Sequence, residues 1–318
     1  MLQIRKILLA TDLTRSASSA AKAAVRLANV TGSELHILFA EVLHGDVIRV
    51  PAGATTPNSI SAQEYVLDQL HDELSTLEGA PVVVIERGVA PAPVLLDYAQ
   101  TIDADLIVAG THGRRGARHL VLGSVAEELV RLSDCPVLTV NFDGRLESDG
   151  ELAVAVPVDF SEHSRFALSH GKALAFLLGA RLEIIHVIEE PLHPAFYGPT
   201  LQSIYDVEPN LDEKVLEELK EFNRTTTGYP SDVTYTVVMG HPVHEILNFV
   251  EERKIDLLTM GTHGLTGIER FALGSVSERL VRRAPCPVFT VKSFGKQLTA
   301  ARRIDTHEEI ETHEAIEN

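Results

Sequence analysis

Tryptophan is absent from this 318-residue chain, cysteine occurs only twice, and aromatic residues make up 5% of the total. Two cysteines cannot build a disulfide framework. Cys135 and Cys286 each precede Pro-Val in matching surroundings, which reads as structural placement and not as a bridge. No apolar run approaches the ~18 residues of a membrane-crossing helix, so a membrane partner is not expected. The opening residues pass straight into a strand-like run without a signal-peptide pattern, and the expected location is cytoplasmic. Basic residues are also in short supply: 28 Lys and Arg face 45 Asp and Glu, a formal net charge of −17. With no Lys/Arg stripe to offset that charge, nucleic acid is excluded as a partner. What is present is 45% apolar and 23% charged residues, the balance of a globular protein, over a length that suits two domains.

Setting Gly110-Thr111-His112-Gly113 beside Gly261-Thr262-His263-Gly264 exposes an internal repeat with an offset of 261 − 110 = 151 residues. The same offset carries Gly123-Ser124-Val125 onto Gly274-Ser275-Val276, Cys135-Pro136-Val137 onto Cys286-Pro287-Val288, and Pro91 onto Pro242. Nearer the start, Asp12 matches Asp159 at 159 − 12 = 147. So long a period marks duplicated domains, because solenoid repeats run at roughly 20 to 50 residues. The expected division is a first domain over 1–142, a linker over 143–150 too poor in apolar residues to pack, and a second domain over 151–294. A charged tail follows over 295–318, rich in Glu and read as solvated.

Within each half the hydrophobic pattern alternates between short apolar runs and amphipathic stretches. Strands are expected at 6–11, 34–40, 82–86, 106–109 and 137–140, and again at 152–158, 181–187, 233–238, 257–260 and 288–291. Alanine-rich helices over 16–29 and 164–178 should close near Gly32 and Gly179, and further helices open at Pro91 and Pro242. Such alternation predicts an α/β fold: two tandem, doubly wound, Rossmann-like domains, each a five-stranded parallel sheet with helices on both faces. Ligands of such sheets bind beyond the carboxyl ends of the strands, where the winding direction reverses. The valine-rich final strands are candidate edges for pairing across a pseudo-twofold axis.

After each fourth strand stands Gly-x-x-Gly, then nine residues, then Gly-Ser at a helix start. The pattern lacks the Gly-Lys-Ser/Thr of a P-loop and the Gly-x-Gly-x-x-Gly of a dinucleotide fold. It still points to phosphate. Gly110 and Gly113, with Gly261 and Gly264, allow tight turns and close approach to bare backbone, and a Gly-Ser pair offers N–H groups at a positive helix end. A purely structural account competes for each serine, because Ser124 with Glu127 and Ser275 with Glu278 have the spacing of capping boxes. Capping alone, however, requires no upstream Gly-x-x-Gly.

This repeated Gly-x-x-Gly-x9-Gly-Ser, with an aspartate ending strand one and Cys-Pro-Val opening the last strand, resembles the ATP-site signature of the universal stress protein family. The resemblance covers nearly the whole chain. It implies ATP bound in each half and pairing of the two halves; magnesium is expected from phosphate chemistry alone, and a homodimer of the whole chain is a further candidate assembly. In the first half it implies a site drawn from Ala10, Asp12, Ala40, Gly110, Thr111, His112, Gly113, Arg114, Gly123, Ser124 and Val125. In the second half the matching set is Pro157, Asp159, Val187, Gly261, Thr262, His263, Gly264, Leu265, Gly274, Ser275 and Val276. Asp12 and Asp159 should lie by base and ribose, Ala40 and Val187 against adenine, and the glycine loops on ribose and phosphates. Either aspartate is also suited to cap the helix that follows it. His112 and His263 have no second ligand at metal spacing, so a loop-shaping role is favoured and no metal site is assigned.

The halves differ in two places. Arg114, Arg115, Arg118 and His119 make the first nine-residue spacer basic, whereas the second carries Leu265, Thr266, Ile268, Glu269 and Arg270, so the first site is expected to bind ATP more tightly. After strand two, the second half alone has Phe196, Tyr197 and Tyr205 among prolines, a candidate contact surface or a cover for its own core. No positioned general base, Walker lysine or obvious nucleophile is apparent near the loops, so no catalytic residue is assigned. The expected function is nucleotide binding in stress response or signalling, through changes of conformation or of protein partner. Slow ATP hydrolysis, self-phosphorylation at Ser124 or Ser275, and a scaffold with structural nucleotide are the alternatives.

Overall fold

A computed structural model describes residues 2–42, 61–111, 123–141, 146, 151–189, 208, 210–229, 232–262 and 273–299. Its first half runs β1 (Lys6–Thr11), α1 (Arg15–Thr31), β2 (Glu34–Val42), α2 (Ala62–Gln69), α3 (His71–Leu74), β3 (Val82–Gly88), α4 (Pro91–Thr101), β4 (Leu106–Gly110), α5 (Ser124–Leu132) and β5 (Val137–Val140). The second half runs β6 (Ala153–Pro157), α6 (Glu162–Leu178), β7 (Arg181–Ile188), α7 (Leu211–Thr225), β8 (Val233–Met239), α8 (Pro242–Glu252), β9 (Leu257–Gly261), α9 (Ser275–Arg283) and β10 (Val288–Val291).

The element boundaries follow from local chemistry. Gly32 and Gly179 end α1 and α6 in the left-handed conformation, with φ of 67° and 62°, a backbone that costs glycine nothing. Pro91 and Pro242 sit in the first turn of α4 and α8, where a missing N–H is harmless. At the amino edge of the sheet, Asp105 Oδ2 accepts the N–H groups of Arg5 and Lys6 at 2.7 and 3.0 Å, and Asp256 Oδ2 accepts that of Ala153 at 2.9 Å. These two aspartates, equivalent in the repeat, pin the start of the first strand of each half to the start of the fourth.

Within each half the strands are parallel, and the ten strands form one sheet in the order β3-β2-β1-β4-β5-β10-β9-β6-β7-β8. The seam is the antiparallel pair β5–β10, with Leu138 opposite Phe289 and flanking pairs Thr139–Val288 and Val137–Thr290. Phe289 is the repeat equivalent of Leu138, so a pseudo-twofold axis passes through that pair. The side chains obey it too: Thr139 Oγ1 donates to Val288 O at 3.3 Å and Thr290 Oγ1 to Val137 O at 3.0 Å. One apolar layer, beneath α1, α2, α6 and α7, and another, beneath α4, α5, α8 and α9, each run through both halves. Cys135 and Cys286 are free thiols, and burial pushes them up to about 11 and about 12.

Two stretches pack where composition indicated solvent. Leu146, inside the expected linker, is buried in the α1/α6 layer. Residues 295–299, the start of the expected tail, return to the first half. Leu298 is buried, its carbonyl accepts the Gln3 N–H at 2.8 Å, and Thr299 bridges Leu2. Lys296 Nζ lies 2.7 Å from Asp103 Oδ1 and 2.7 Å from Asp105 Oδ1, and its ammonium holds the Asp103 carboxyl below the usual range. Lys296 and Leu298 are the residues that acidic average composition hides. The remainder of the tail, and Phe196, Tyr197 and Tyr205, lie outside the described residues.

One buried group makes the fold sensitive to acid. His170 in α6 is fully buried, ringed by Phe166 and Phe289. Its Nδ1 is 2.9 Å from Phe166 O, its Nε2 has no partner among the described residues, and burial pushes its pKa from 6.5 down to about 4. The unfolded chain therefore takes up this proton below pH 6.5 while the native state declines it until near pH 4. The stability is fully present above pH 6.5 and falls across that window by about 3 kcal/mol. Urea titrations should show wild type losing stability between pH 7.5 and 5, and His170→Leu losing less by about 2 kcal/mol. Identical pH slopes for the two proteins would exclude a buried neutral imidazole.

Candidate functional site

In each half the chain leaving the first strand enters a helix on one face, and the chain leaving the fourth strand enters a helix on the other. β1 lies between β2 and β4, so the crevice opens at the carboxyl ends of β1 and β4, and by repetition at those of β6 and β9. Because the seam is antiparallel, the two crevices open at opposite edges of the sheet.

Asp12 stands directly beyond β1. Its Oδ1 accepts the Thr14 N–H at 3.0 Å and the Thr14 hydroxyl at 2.6 Å. Asp159 repeats the arrangement with Ser161, at 3.1 Å to the N–H and 2.5 Å to the hydroxyl. Between them Leu13 and Phe160 are each held at φ 61°, a left-handed conformation that costs a non-glycine residue about 1–2 kcal/mol. The aspartates are therefore not the helix caps that their position suggested. Thr14 and Ser161 occupy the N-cap positions, and Ser161 Oγ accepts the Ser164 N–H at 3.1 Å. The carboxylates instead shape the turn over the crevice. Phe160 is braced further by His186, with rings 4.6 Å apart and His186 Nδ1 2.7 Å from Val158 O.

Ala40 and Val187 are half-buried near the ends of β2 and β7. The residues after them pair differently in the two halves. In the first half Glu41 faces Arg87 across β2–β3 in an ion pair of 2.6 Å, whereas Ile188 faces Met239 in the second. Ala10 and Pro157 lie on the adjoining first strands, Ala10 beside Ala109 and Pro157 beside Ile185.

The glycine loops are clasped at their bases. Thr111 N–H donates to Val140 O at 2.9 Å, and Gly123 N–H returns to Thr111 O at 2.6 Å. Thr262 N–H donates to Val291 O at 3.0 Å, and Gly274 N–H to Thr262 O at 2.8 Å. The spans between, with His112, Gly113, Arg114, Arg115, Arg118 and His119 in one half and His263, Gly264, Leu265, Thr266, Ile268, Glu269 and Arg270 in the other, lie outside the described residues. Beyond each clasp the capping boxes are not formed. Gly123 and Gly274 are themselves the N-caps, so Ser124 and Ser275 take the first helical position and Glu127 and Glu278 fall one residue too late to complete a box. Glu127 N–H instead makes the first helical bond to Gly123 O at 3.0 Å. A glycine cap supplies no side-chain acceptor, so among the described residues the first-turn N–H groups of α5 and α9, including those of Val125 and Val276, have no side-chain cap. This end of each helix is suited to an anion.

Gly110 has a different explanation from the ligand approach expected of it. A Cβ there would stand 2.7 Å from Ser16 Oγ and 2.9 Å from Ser16 O, so its bareness admits the first turn of α1. In the second half Ser277 Oγ donates to Gly261 O at 2.9 Å and ties α9 to the end of β9. Sequence reasoning missed Thr14 and Ser161, although the repeated Asp-x-Thr and Asp-x-Ser spacing signals them. It also missed His163, whose Nδ1, 2.8 Å from Ser293 Oγ, ties the first turn of α6 to the chain just beyond β10. Among the described residues no group of three or more His, Cys, Asp or Glu is placed to hold a metal ion, and no helix is long and apolar enough to cross a membrane.

A sequence model of the universal stress protein family matches residues 3–141 and again residues 153–292. A universal stress protein of Mycolicibacterium smegmatis is 26% identical over 295 residues, spanning 90% of this chain and 96% of that protein. One from Methanocaldococcus jannaschii is 33% identical over 144 residues, 45% of this chain and 84% of its own length. The crystal structure of a universal stress protein from Archaeoglobus fulgidus superposes with a TM-score of 0.57 at 23% identity, covering 90% of this chain and 98% of that one, a likeness of fold.

The packing account of Gly110 is directly testable. Gly110→Ala should lower stability by about 1–3 kcal/mol, because the Ser16 backbone cannot yield as a flexible side chain would. An unchanged urea midpoint would remove this account and return the glycine to the ligand.

Proposed function

Because the chain belongs to the universal stress protein family, we propose that it binds one ATP in each half and acts in stress response or signalling through nucleotide-dependent changes of conformation or partner. The observation that carries the reading is the twice-built helix start: a clasped loop base, a glycine N-cap without a side-chain acceptor, and a crevice at the strand switch point. The first-turn N–H groups and the hydroxyls of Ser124 and Ser275 would meet phosphate oxygens, where backbone dipoles attract an anion whatever the net charge. Gly113 and Gly264 would leave room for ribose and phosphates, with Thr111 and Thr262 at the loop bases. His112 and His263 would shape the loops.

Asp12 and Asp159, whose Oδ1 atoms hold the turn, would lie by ribose and base. Ala40 and Val187 would pack on adenine, with Ala10 and Pro157 beneath. Magnesium would accompany the phosphates, neutralising part of their charge. Arg114 of the first spacer would add a charge-assisted bond to the triphosphate where the second offers Leu265, favouring tighter binding in the first half.

A second reading has one observation in its favour. Ser124 and Ser275 are not consumed as caps, so each hydroxyl stands at the phosphate end of its helix, where a self-phosphorylating protein would need it.

Protein purified without added nucleotide and then denatured should release adenine nucleotide, one equivalent per half, chiefly as ATP. Gly123→Val and Gly274→Val should each abolish one site in calorimetry, and the variant that keeps the first site should bind ATP more tightly. Release of mostly ADP favours the turnover reading. No release, together with no binding of ATP and magnesium, reduces the glycine loops to helix starts.

A further inference from the structure

The two candidate sites face opposite edges of one sheet, yet each is hydrogen-bonded to the helix that serves the other. α5 begins at Gly123 in the first crevice and, about 13 Å long, ends at the opposite edge, where the second crevice opens. There its final carbonyls meet the second half: Lys292 Nζ donates to Arg131 O at 2.8 Å and to Ser133 O at 2.6 Å. Lys292 is buried and directly follows Val291, whose carbonyl holds the Thr262 N–H at the base of the second loop. A continuous set of bonded elements thus runs from the first loop through α5 and Lys292 to the clasp of the second.

The return route is built from the equivalent residues. α9 begins at Gly274 in the second crevice and ends at Ala284, whose carbonyl accepts from Asn141 Nδ2 at 3.0 Å. Asn141 follows Val140, which holds the Thr111 N–H at the base of the first loop. The helices are also joined side to side: Arg282 in the last turn of α9 bonds Glu127 in the first turn of α5 at 2.9 Å and Glu278 at 2.8 Å.

We propose that the two sites are coupled across the β5–β10 seam, ATP in one crevice raising the affinity of the other through the reciprocal ties of Lys292 and Asn141. This rests on the nucleotide reading given above. A phosphate seated on the first turn of α5 fixes that helix, and a nine-residue helix fixed at one end is fixed at the other. Its final carbonyls then hold Lys292, and with it the end of β10 and the base of the second loop. Ordering done by the first ligand need not be repeated by the second, which is positive cooperativity without a large change of shape.

The test is ATP calorimetry on the full chain and on its Gly123→Val and Gly274→Val variants, which report each site alone. Coupling predicts a wild-type isotherm with a second step about fivefold or more tighter than the sum of the single-site isotherms. Lys292→Met, checked by its thermal transition, should weaken the coupling, and Lys292→Met combined with Asn141→Leu should restore additivity, both sites still able to bind. Should Lys292→Met fail to fold, Asn141→Leu, which removes one hydrogen bond, serves the same comparison. A wild-type isotherm equal to that sum overturns the coupling and leaves the nucleotide reading intact. Cooperativity that persists undiminished in both single-tie variants, or at all in the double variant, overturns the route. Absence of ATP binding at either site refutes the nucleotide reading, and the coupling with it.

Discussion

The antiparallel pairing of β5 with β10 is the constraint on which the rest of the molecule depends. Each half ends its sheet on a short valine-rich strand, which alone would present a bare row of backbone donors and acceptors. Pairing them satisfies those groups, buries Leu138 and Phe289 on the pseudo-twofold axis, and merges two sheets into one. Both apolar layers then run unbroken through the chain. The direction of the pairing also sets the geometry of function, for it turns the two crevices to opposite edges while bringing the helices of one half against strand ends of the other.

How much of this was legible depended on how local the cause was. β5 and β10 have the expected limits because apolar runs bounded by Pro and a polar residue fix them, and Gly32 and Gly179 end their helices for reasons contained in one residue. β2 extends two residues beyond its apolar run because Glu41 and Val42 find partners on β3, which a run of side chains does not reveal. Nor could composition place Leu298 and Lys296, since Gln3 is almost the whole chain away from Leu298, and Asp103 and Asp105 lie in the other half from Lys296. The repeat and the glycine motif pointed to the candidate site. Its finer construction was less visible, because Ser124 satisfies the capping-box spacing while the helix starts one residue earlier in register than that box requires, and Gly110 answers to Ser16.

For a strongly acidic protein, the proposed anion sites must work without help from the overall charge. What the described parts of these crevices offer is backbone: glycine caps, clasped loop bases and helix ends. The aspartates nearby are partly satisfied by Thr14 and Ser161, and Glu127 and Glu278 by Arg282, so acidic groups close to the helix starts already have donors of their own. Leu13 and Phe160 carry the backbone strain of this design, each braced by the apolar layer beneath α1 and α6.

Covalent fusion of the two halves has an evolutionary consequence. A symmetric dimer of identical chains must present every inherited change twice, once on either side of its axis. Here a change falls on one side only, so the axis is a record of ancestry and not an obligation. Lysine at 292 with asparagine at 141, and Ile188–Met239 where the other copy has Glu41–Arg87, are differences that no homodimer could maintain. Selection can thus refine one crevice while leaving the other unchanged.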